Sequence, residues 1–148
     1  MVLEPGPGMG FFTLEIARRV GTTGKVIAVD IQPRMLAGLR RRAARAGVAD
    51  RIETRLATPD SLAIDDLAGR IDFTLAFALV HEMPDAAKFF REAAIASRSG
   101  AFLLLVEPAG HVKTAEFEIE LKQAAEAGFI ISERPAVPHS SAALLRRI

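Results

Sequence analysis

Met1-Val2-Leu3-Glu4-Pro5-Gly6-Pro7-Gly8-Met9-Gly10-Phe11-Phe12-Thr13-Leu14-Glu15-Ile16-Ala17-Arg18-Arg19-Val20 opens the chain, and its reading decides the fold. A short apolar run gives way to three glycines at alternate positions and then to residues spaced as on a helix. The pattern predicts strand, glycine turn, helix. Such a turn carries no side chain to keep a ligand off the backbone, and the following helix presents unpaired N–H groups in its first turn. One glycine suffices for an ordinary strand-to-helix connection that needs positive φ. Three of them, with Glu4 two residues before the first, point to a nucleotide cradle.

The spacing separates two kinds of cradle. The dinucleotide fingerprint G-x-G-x-x-G places its third glycine where this chain has Phe11. The spacing here is G-x-G-x-G, and a carboxylate at Glu4 repels a pyrophosphate and suits a cationic or hydroxyl-bearing ligand. Val2 to Gly10 resembles the first motif, [D/E]-x-G-x-G-x-G, of class I methyltransferases that use S-adenosylmethionine, in particular their type 11, ubiquinone/menaquinone-methyltransferase-like branch. The resemblance implies that Gly6, Pro7, Gly8 and Gly10 pass beneath the methionine part of the cofactor and that Glu4 helps fix that end.

The chain of 148 residues is long enough for one compact domain, taken as 1–148. Half the residues are hydrophobic and the formal net charge is +1, which indicates neither disorder nor a strong nucleic-acid field. The basic cluster Arg40, Arg41, Arg42 and Arg45 reads as the solvated face of a helix. No cysteine is present, so disulfides, thiolate metal sites and cysteine nucleophiles are excluded. By resemblance this also excludes the cysteine-dependent cytosine-carbon and arsenite methyltransferases. No secretory signal precedes the first strand and no apolar run reaches about 18 residues, so a cytoplasmic protein without a membrane span is expected.

Phe12, Ile16, Ala17 and Val20 share one face of the first helix, and Gly21 with Gly24 closes it. Lys25 to Asp30 is a β-branched strand ending in an acid, twenty residues after Gly10. One helix and one return strand consume about that length, which places Asp30 at the same sheet edge as the glycine turn. A carboxylate there can accept two hydrogen bonds from vicinal ribose hydroxyls; the alternative is a helix cap for the segment beginning at Pro33. By resemblance Ile31 packs on the adenine face. Helix two, Pro33 to Ala46, turns Met35, Leu36, Leu39, Ala43 and Ala46 inward. The third strand, Arg51 to Leu56, leads to Ala57-Thr58-Pro59-Asp60, where the family usually reads the adenine amino edge with an aspartate. The matched position is Thr58, or Asp60 if the turn is longer, and Asp60 can equally cap a short helix through Leu67.

Strand four, Ile71 to Phe77, and its tail through His81, Glu82 and Met83 resemble the family's F-D-L-V-V-A-x-x-V-L-H-H-L segment. Phe77 and Ala78 replace polar residues there, leaving only backbone groups for contact with cofactor or substrate. They also exclude the Asp/Asn-Pro-Pro-aromatic motif of adenine amino methyltransferases. His81 is a candidate base for a hydroxyl or carbon acid, with a locally bonded loop histidine as the alternative. A metal site from His81, Glu82, His111 or His139 is rejected because only an adjacent pair is visible. Pro84 opens a helix to Ser99-Gly100, Ala101 to Val106 is strand five, and Glu107-Pro108 matches the family's E-P; Glu107 lines the substrate side or sits in solvent. A helix from Thr114 to Ala127 buries Phe117, Leu121, Ala124 and Ala125, and Phe129 to Glu133 and Ser141 to Arg147 form a last hairpin.

The expected fold is therefore a three-layer αβα sandwich, Rossmann-like and doubly wound. The resemblance implies a mostly parallel seven-stranded sheet in the order 3-2-1-4-5-7-6, with strand 7 antiparallel. The expected function is methyl transfer from S-adenosylmethionine to a small-molecule acceptor, leaving S-adenosylhomocysteine. The alternatives are a non-catalytic or truncated binding module and, behind it, an NAD(P)-dependent oxidoreductase. Family members usually carry helices before the first strand. This chain is expected to be a fragment, a minimal enzyme, or a subunit whose partner supplies that lid, and an uncovered apolar surface leaves homo-oligomers open.

Overall fold

The computed structural model describes residues 1–148. The chain forms two compact units, Met1–Ala63 and Ile64–Ile148. In the first, strands β1 (Val2–Pro5), β2 (Val26–Asp30) and β3 (Ile52–Leu56) are parallel and joined by helices α1 (Thr13–Arg19) and α2 (Pro33–Arg45). All five residues of β2 are buried, the continuous apolar run of a parallel strand covered on both faces. β3 mixes Glu53 and Arg55 with its apolar residues, as a sheet edge does. The core beneath them joins Leu14 and Ala17 of α1, Val26 and Ala28 of β2, Leu39 and Ala43 of α2, and Val48.

Three details differ from the sequence expectation here. α1 starts at Thr13 rather than Phe11, because Gly8 to Phe12 are spent on the turn. The helix has only 7 residues, so it offers no N-terminal anion site. Met35 is half-buried instead of core; Gly38 holds the inward position, with the Met9 side chain 3.3 Å from where a Cβ would stand. The arginines of α2 are exposed but not merely solvated: Arg40 donates to Thr54 Oγ1 (2.9 Å) and Arg42 to the Met9 carbonyl (2.9 Å).

The second unit contains β4 (Ile71–Phe77), α3 (Ala86–Ala96), β5 (Ser97–Pro108), α4 (Thr114–Glu126), β6 (Phe129–Glu133) and β7 (Ser140–Arg147). β4 pairs parallel with β5, and β7 runs antiparallel to both β5 and β6. Asp85, not Pro84, begins α3, its carboxylate accepting from Lys88 N at 2.8 Å. Aspartate is the better cap because proline has no side-chain acceptor. α3 stops at Ala96, and Ser97 to Gly100 extend β5. On α4, Ala125 is exposed while Glu120 is buried. No Asp60 cap forms; the 3-10 turn Asp65–Leu67 starts after Ile64.

The seven strands form one sheet in the order β3-β2-β1-β4-β5-β7-β6, flanked by helices. This is the Rossmann-like topology expected from the sequence.

Gly10 carries a packing constraint that Gly8 does not. Both have positive φ, +90° and +55°, but a Cβ on Gly10 meets Leu39 Cδ1 at 2.4 Å whereas one on Gly8 meets nothing within 4 Å. Leu39 is wholly buried and has little room to yield. Gly10→Ala is expected to cost about 2–4 kcal/mol, strain and overpacking together, and Gly8→Ala about 1 kcal/mol from strain alone. Urea unfolding of the two variants measures the difference; equal losses would remove the Leu39 contact as the cause.

Candidate functional site

The parallel ladder brings the predicted cofactor residues of the first unit to one edge. Glu4 pairs in register with Ala28 and Pro5 with Val29, and Asp30 pairs with Leu56, so β1, β2 and β3 all end together. From there Gly6 N donates to the Val29 carbonyl (2.8 Å), and Gly10 N closes a turn on the Pro7 carbonyl (2.9 Å). Arg42 anchors the same turn through Met9. Gly6 is exposed, Gly8 half-buried and Pro7 buried beneath them, so the backbone of the turn is what a ligand would meet.

Glu4 lies under this turn with 3% of its surface exposed. Its Oε2 and the neighbouring Thr13 Oγ1 are both buried without a hydrogen-bond partner. Burial pushes the Glu4 carboxyl up to about 7, the nearby Thr13 hydroxyl opposing the rise. With the Thr13 hydroxyl as the one side-chain group bearing on it, the Glu4 carboxyl is poorly provided with donors for a folded interior.

At the end of β2, Asp30 Oδ1 accepts from Gln32 N (2.8 Å), steadying the start of α2. One oxygen of Asp30 thus serves the helix start, as the capping alternative expects. The Asp30 carbonyl accepts from Ala57 N (3.0 Å), which fixes the end of β3 beside it. Ala57 is buried, while Thr58 is exposed and exchanges two backbone bonds with Ser61, leaving Asp60 at the tip of that turn. Ile31 is 57% exposed, an apolar face next to a carboxylate. Asp30, Ile31 and the Ala57-Thr58 segment therefore meet at one edge.

In the second unit β4 ends at Phe77, which is partly exposed, and Ala78 turns away with φ +50°. Its N–H donates to the Val106 carbonyl at 2.7 Å, which holds a conformation that alanine otherwise disfavours. His81 follows on the 3-10 turn Val80–Glu82. Its Nδ1 meets Glu107 Oε2, and Glu107 Oε1 accepts from Val80 N (2.8 Å) and Leu79 N (3.3 Å). Glu107 is fully buried, so neither of its expected placements, substrate lining or solvent, is correct. A buried carboxylate on Nδ1 selects the tautomer that keeps the proton there and leaves Nε2 with a free lone pair.

Two further residues stand out in this unit: His111, weighed in the sequence only as a metal ligand, and Glu120, which the sequence reading missed. The His111 ring stands edge-on to His81, centroids 5.9 Å apart and planes at 83°. Glu120 of α4 is buried with Oε2 unpartnered, and burial together with the charge of Glu107 pushes its carboxyl up to about 7. The signal for Glu120 was its position: it shares the helical face of Phe117, Leu121 and Ala124, an acid inside an apolar stripe. No group of three or more His, Asp or Glu side chains is arranged to hold a metal ion.

The chain is similar to known methyltransferases in sequence and in fold. The methyltransferase-domain family matches residues 2–100, two thirds of the chain. A 52-residue stretch is 44% identical to a catechol O-methyltransferase of Mycobacterium tuberculosis, covering 35% of this chain and 24% of that enzyme. Among solved structures, an S-adenosylmethionine-dependent methyltransferase from Aquifex aeolicus superposes with a TM-score of 0.86 at 22% identity, over 99% of this chain and 81% of that one. One from Mesorhizobium loti gives 0.79 at 17% identity, over 99% and 90%. The cyclase SpnF gives 0.80 at 16%, over 99% and 74%. With the glycine turn, its acid and the seven-stranded order in place, the chain belongs to the methyltransferase-domain family, in the class I fold that takes S-adenosylmethionine as cofactor.

Proposed function

We propose that residues 1–148 work as one domain that transfers the methyl group of S-adenosylmethionine to a hydroxyl-bearing small molecule. The observation that carries this is the buried Glu4 carboxyl, its Oε2 without a hydrogen-bond partner, at the glycine turn, with Asp30 at the neighbouring strand end. The residues fit the cofactor. Glu4 would take its cationic amino-acid end, Asp30 the ribose hydroxyls, Ile31 one face of the adenine, and Ala57-Thr58 its edge; Gly8 has open space where a side chain would intrude. When bound, the cofactor supplies an electrophilic methyl group on a sulfonium.

This chain's own contribution is alignment, exclusion of water and one proton transfer. Alignment alone is worth up to about 7–11 kcal/mol of barrier in reactions of this kind. His81, with Nδ1 held by Glu107, takes the acceptor proton on Nε2. The catechol O-methyltransferase likeness favours oxygen as the acceptor atom, in a molecule that can be an aromatic diol. The proposal includes a cytoplasmic chain that takes no nucleic acid and can self-associate; no helix is long and apolar enough to cross a membrane.

One observation favours a second reading, a binding module without turnover. Phe77 and Ala78 offer no side-chain polar group at the end of β4. The cyclase among the structural relatives also shows that this fold alone does not dictate a methyl-transfer reaction.

Calorimetric titration is expected to show saturable binding of S-adenosylmethionine, weakened at least about tenfold in Asp30→Ala, and none of NADH. Absence of binding would sink the proposal, and preference for NADH would revive the oxidoreductase.

His81→Ala is expected to lower turnover on a hydroxyl acceptor roughly 100-fold with cofactor affinity unchanged. Full turnover in that variant would dismiss the base, and tight cofactor binding with no turnover of any acceptor in the unaltered chain would favour the binding module.

Glu4 adds a pH signature. Its carboxyl titrates near 7 in the folded chain and at 4.5 when unperturbed, so the folded state holds the extra proton between those values. Stability therefore falls as pH rises through that window and stays lower above it. Glu4→Gln is expected to be more stable than the parent at pH 8, by up to roughly 3 kcal/mol, and no more stable at pH 4.5, while losing cofactor affinity. Urea melts at the two pH values read the first effect; a pH-independent difference would mean that Glu4 is not protonated in the fold.

A further inference from the structure

We propose that His111 determines acceptor specificity: its imidazole holds a second oxygen of the acceptor while His81 takes the proton of the first, so the chain selects molecules with hydroxyls on neighbouring carbons. The two rings meet edge to face, centroids 5.9 Å apart and planes at 83°. They come from different strand ends. His81 follows β4 on the 3-10 turn Val80–Glu82, and His111 follows β5, whose parallel pairing with β4 brings both loops to one edge of the second unit.

Each ring stands on an anchored turn. His81 is fixed through Nδ1 by buried Glu107, which also accepts from Val80 N and Leu79 N. His111 N and Val112 N both donate to the Pro108 carbonyl (2.9 Å each), Ala109 N donates to the His139 carbonyl (3.0 Å), and the Val112 side chain is buried. The His111 side chain is exposed, and no protein group bonds to its ring nitrogens. The fold thus fixes the backbone of this turn and leaves the imidazole at its surface free to bind.

The two rings divide the chemistry. With its Nδ1 proton given to Glu107, His81 has one lone pair, at Nε2, and serves one hydroxyl only. Glu82 Oε1, 3.9 Å from Nε2, is beyond hydrogen-bond reach and leaves that lone pair open. A neutral His111 has one N–H and one lone pair, so it meets a second oxygen either as donor or as acceptor. A hydrogen bond spans about 2.8 Å, so two oxygens on adjacent carbons fit between imidazoles this close, and a lone hydroxyl leaves one of them to water. No third His, Asp or Glu joins the two rings in a set that holds a metal ion. The inference rests on the reading of His81 as the base and names the acceptor class for it.

The test compares 1,2-dihydroxybenzene with phenol as acceptors. In the unaltered chain kcat/KM is expected to favour the diol at least about tenfold, a margin beyond the doubling that a second reactive hydroxyl gives by count. In His111→Ala the diol-to-phenol ratio is expected to fall to within about threefold of unity, through KM for the diol, and in His111→Asn, which keeps a donor and an acceptor, to fall less. A ring that only props up His81 would lower both acceptors alike and keep the ratio, which overturns the proposal. An unaltered chain without diol preference overturns it too, whether or not the variants fold.

Equilibrium binding to the chain alone separates this proposal from the methyl-transfer reading. NMR is expected to show saturable shifts of the His81 and His111 ring protons with 1,2-dihydroxybenzene, and binding at least about tenfold weaker with phenol. Equal affinity for the two overturns the His111 role. Diol-selective binding in a chain that takes no S-adenosylmethionine would refute the methyl-transfer reading alone. Methyl transfer without diol selectivity would refute the His111 role alone.

Discussion

The parallel hydrogen-bond ladder is the constraint on which the first unit depends. Because β1, β2 and β3 run the same way, their carboxyl ends lie at one edge, and the loop that leads into each returning helix lies there too. β2 is buried along its whole length and can carry no chemistry until its last residue, Asp30. Polar function is thereby pushed to the ends: Glu4 at the penultimate residue of β1, Asp30 at the end of β2, Ala57 and Thr58 just past β3. The glycine turn completes the arrangement by keeping side chains out of the space above that edge.

Four carboxyls sit at or near the candidate sites, and the structure treats each differently. Glu107 is wholly buried and fully furnished with donors. Asp30 reaches the rim, with one oxygen bonded to Gln32 N. Glu4 and Glu120 are buried with an oxygen left over, and each is pushed up to about 7. The difference is donor count. Where backbone N–H groups and an imidazole converge, the anion is solvated by protein; where they do not, the group keeps its proton. Near neutral pH the chain therefore holds two protons that small changes in local charge can move.

Much of this was legible in the sequence. The bounds of β4 and β6 followed from apolar periodicity and turn residues, because tertiary burial and local pattern agree there, whereas the strand order and the final hairpin came from the family resemblance. The start of α1 did not follow, since Phe11 and Phe12 fit a helical pattern but are consumed by the turn that brings Gly10 against Leu39. The Ser97 to Gly100 boundary failed for a related reason: a serine and a glycine read as punctuation, while the β4–β5 ladder begins at Ser97 opposite Ile71. Of the candidate sites, Glu4 to Gly10 were marked by a contiguous motif and Asp30 by its spacing from Gly10. His81, Glu107 and His111 are separated in sequence and brought together only by folding, so although each was named in the sequence, no spacing announced that they meet. Glu120 was missed, though it left a trace as an acid on an apolar helical face.

The second cluster can be weighed by what folding gains from each member. Glu107 accounts for itself, because it satisfies two backbone N–H groups where the chain leaves β4, groups that burial would otherwise leave unmet. His81 is partly accounted for by its bond to Glu107, although an apolar residue on that turn would relieve the same burial without a charge. Glu120 has no such account. It makes no bond through Oε2, repels Glu107, and occupies a place on α4 that leucine or methionine would fill at lower cost.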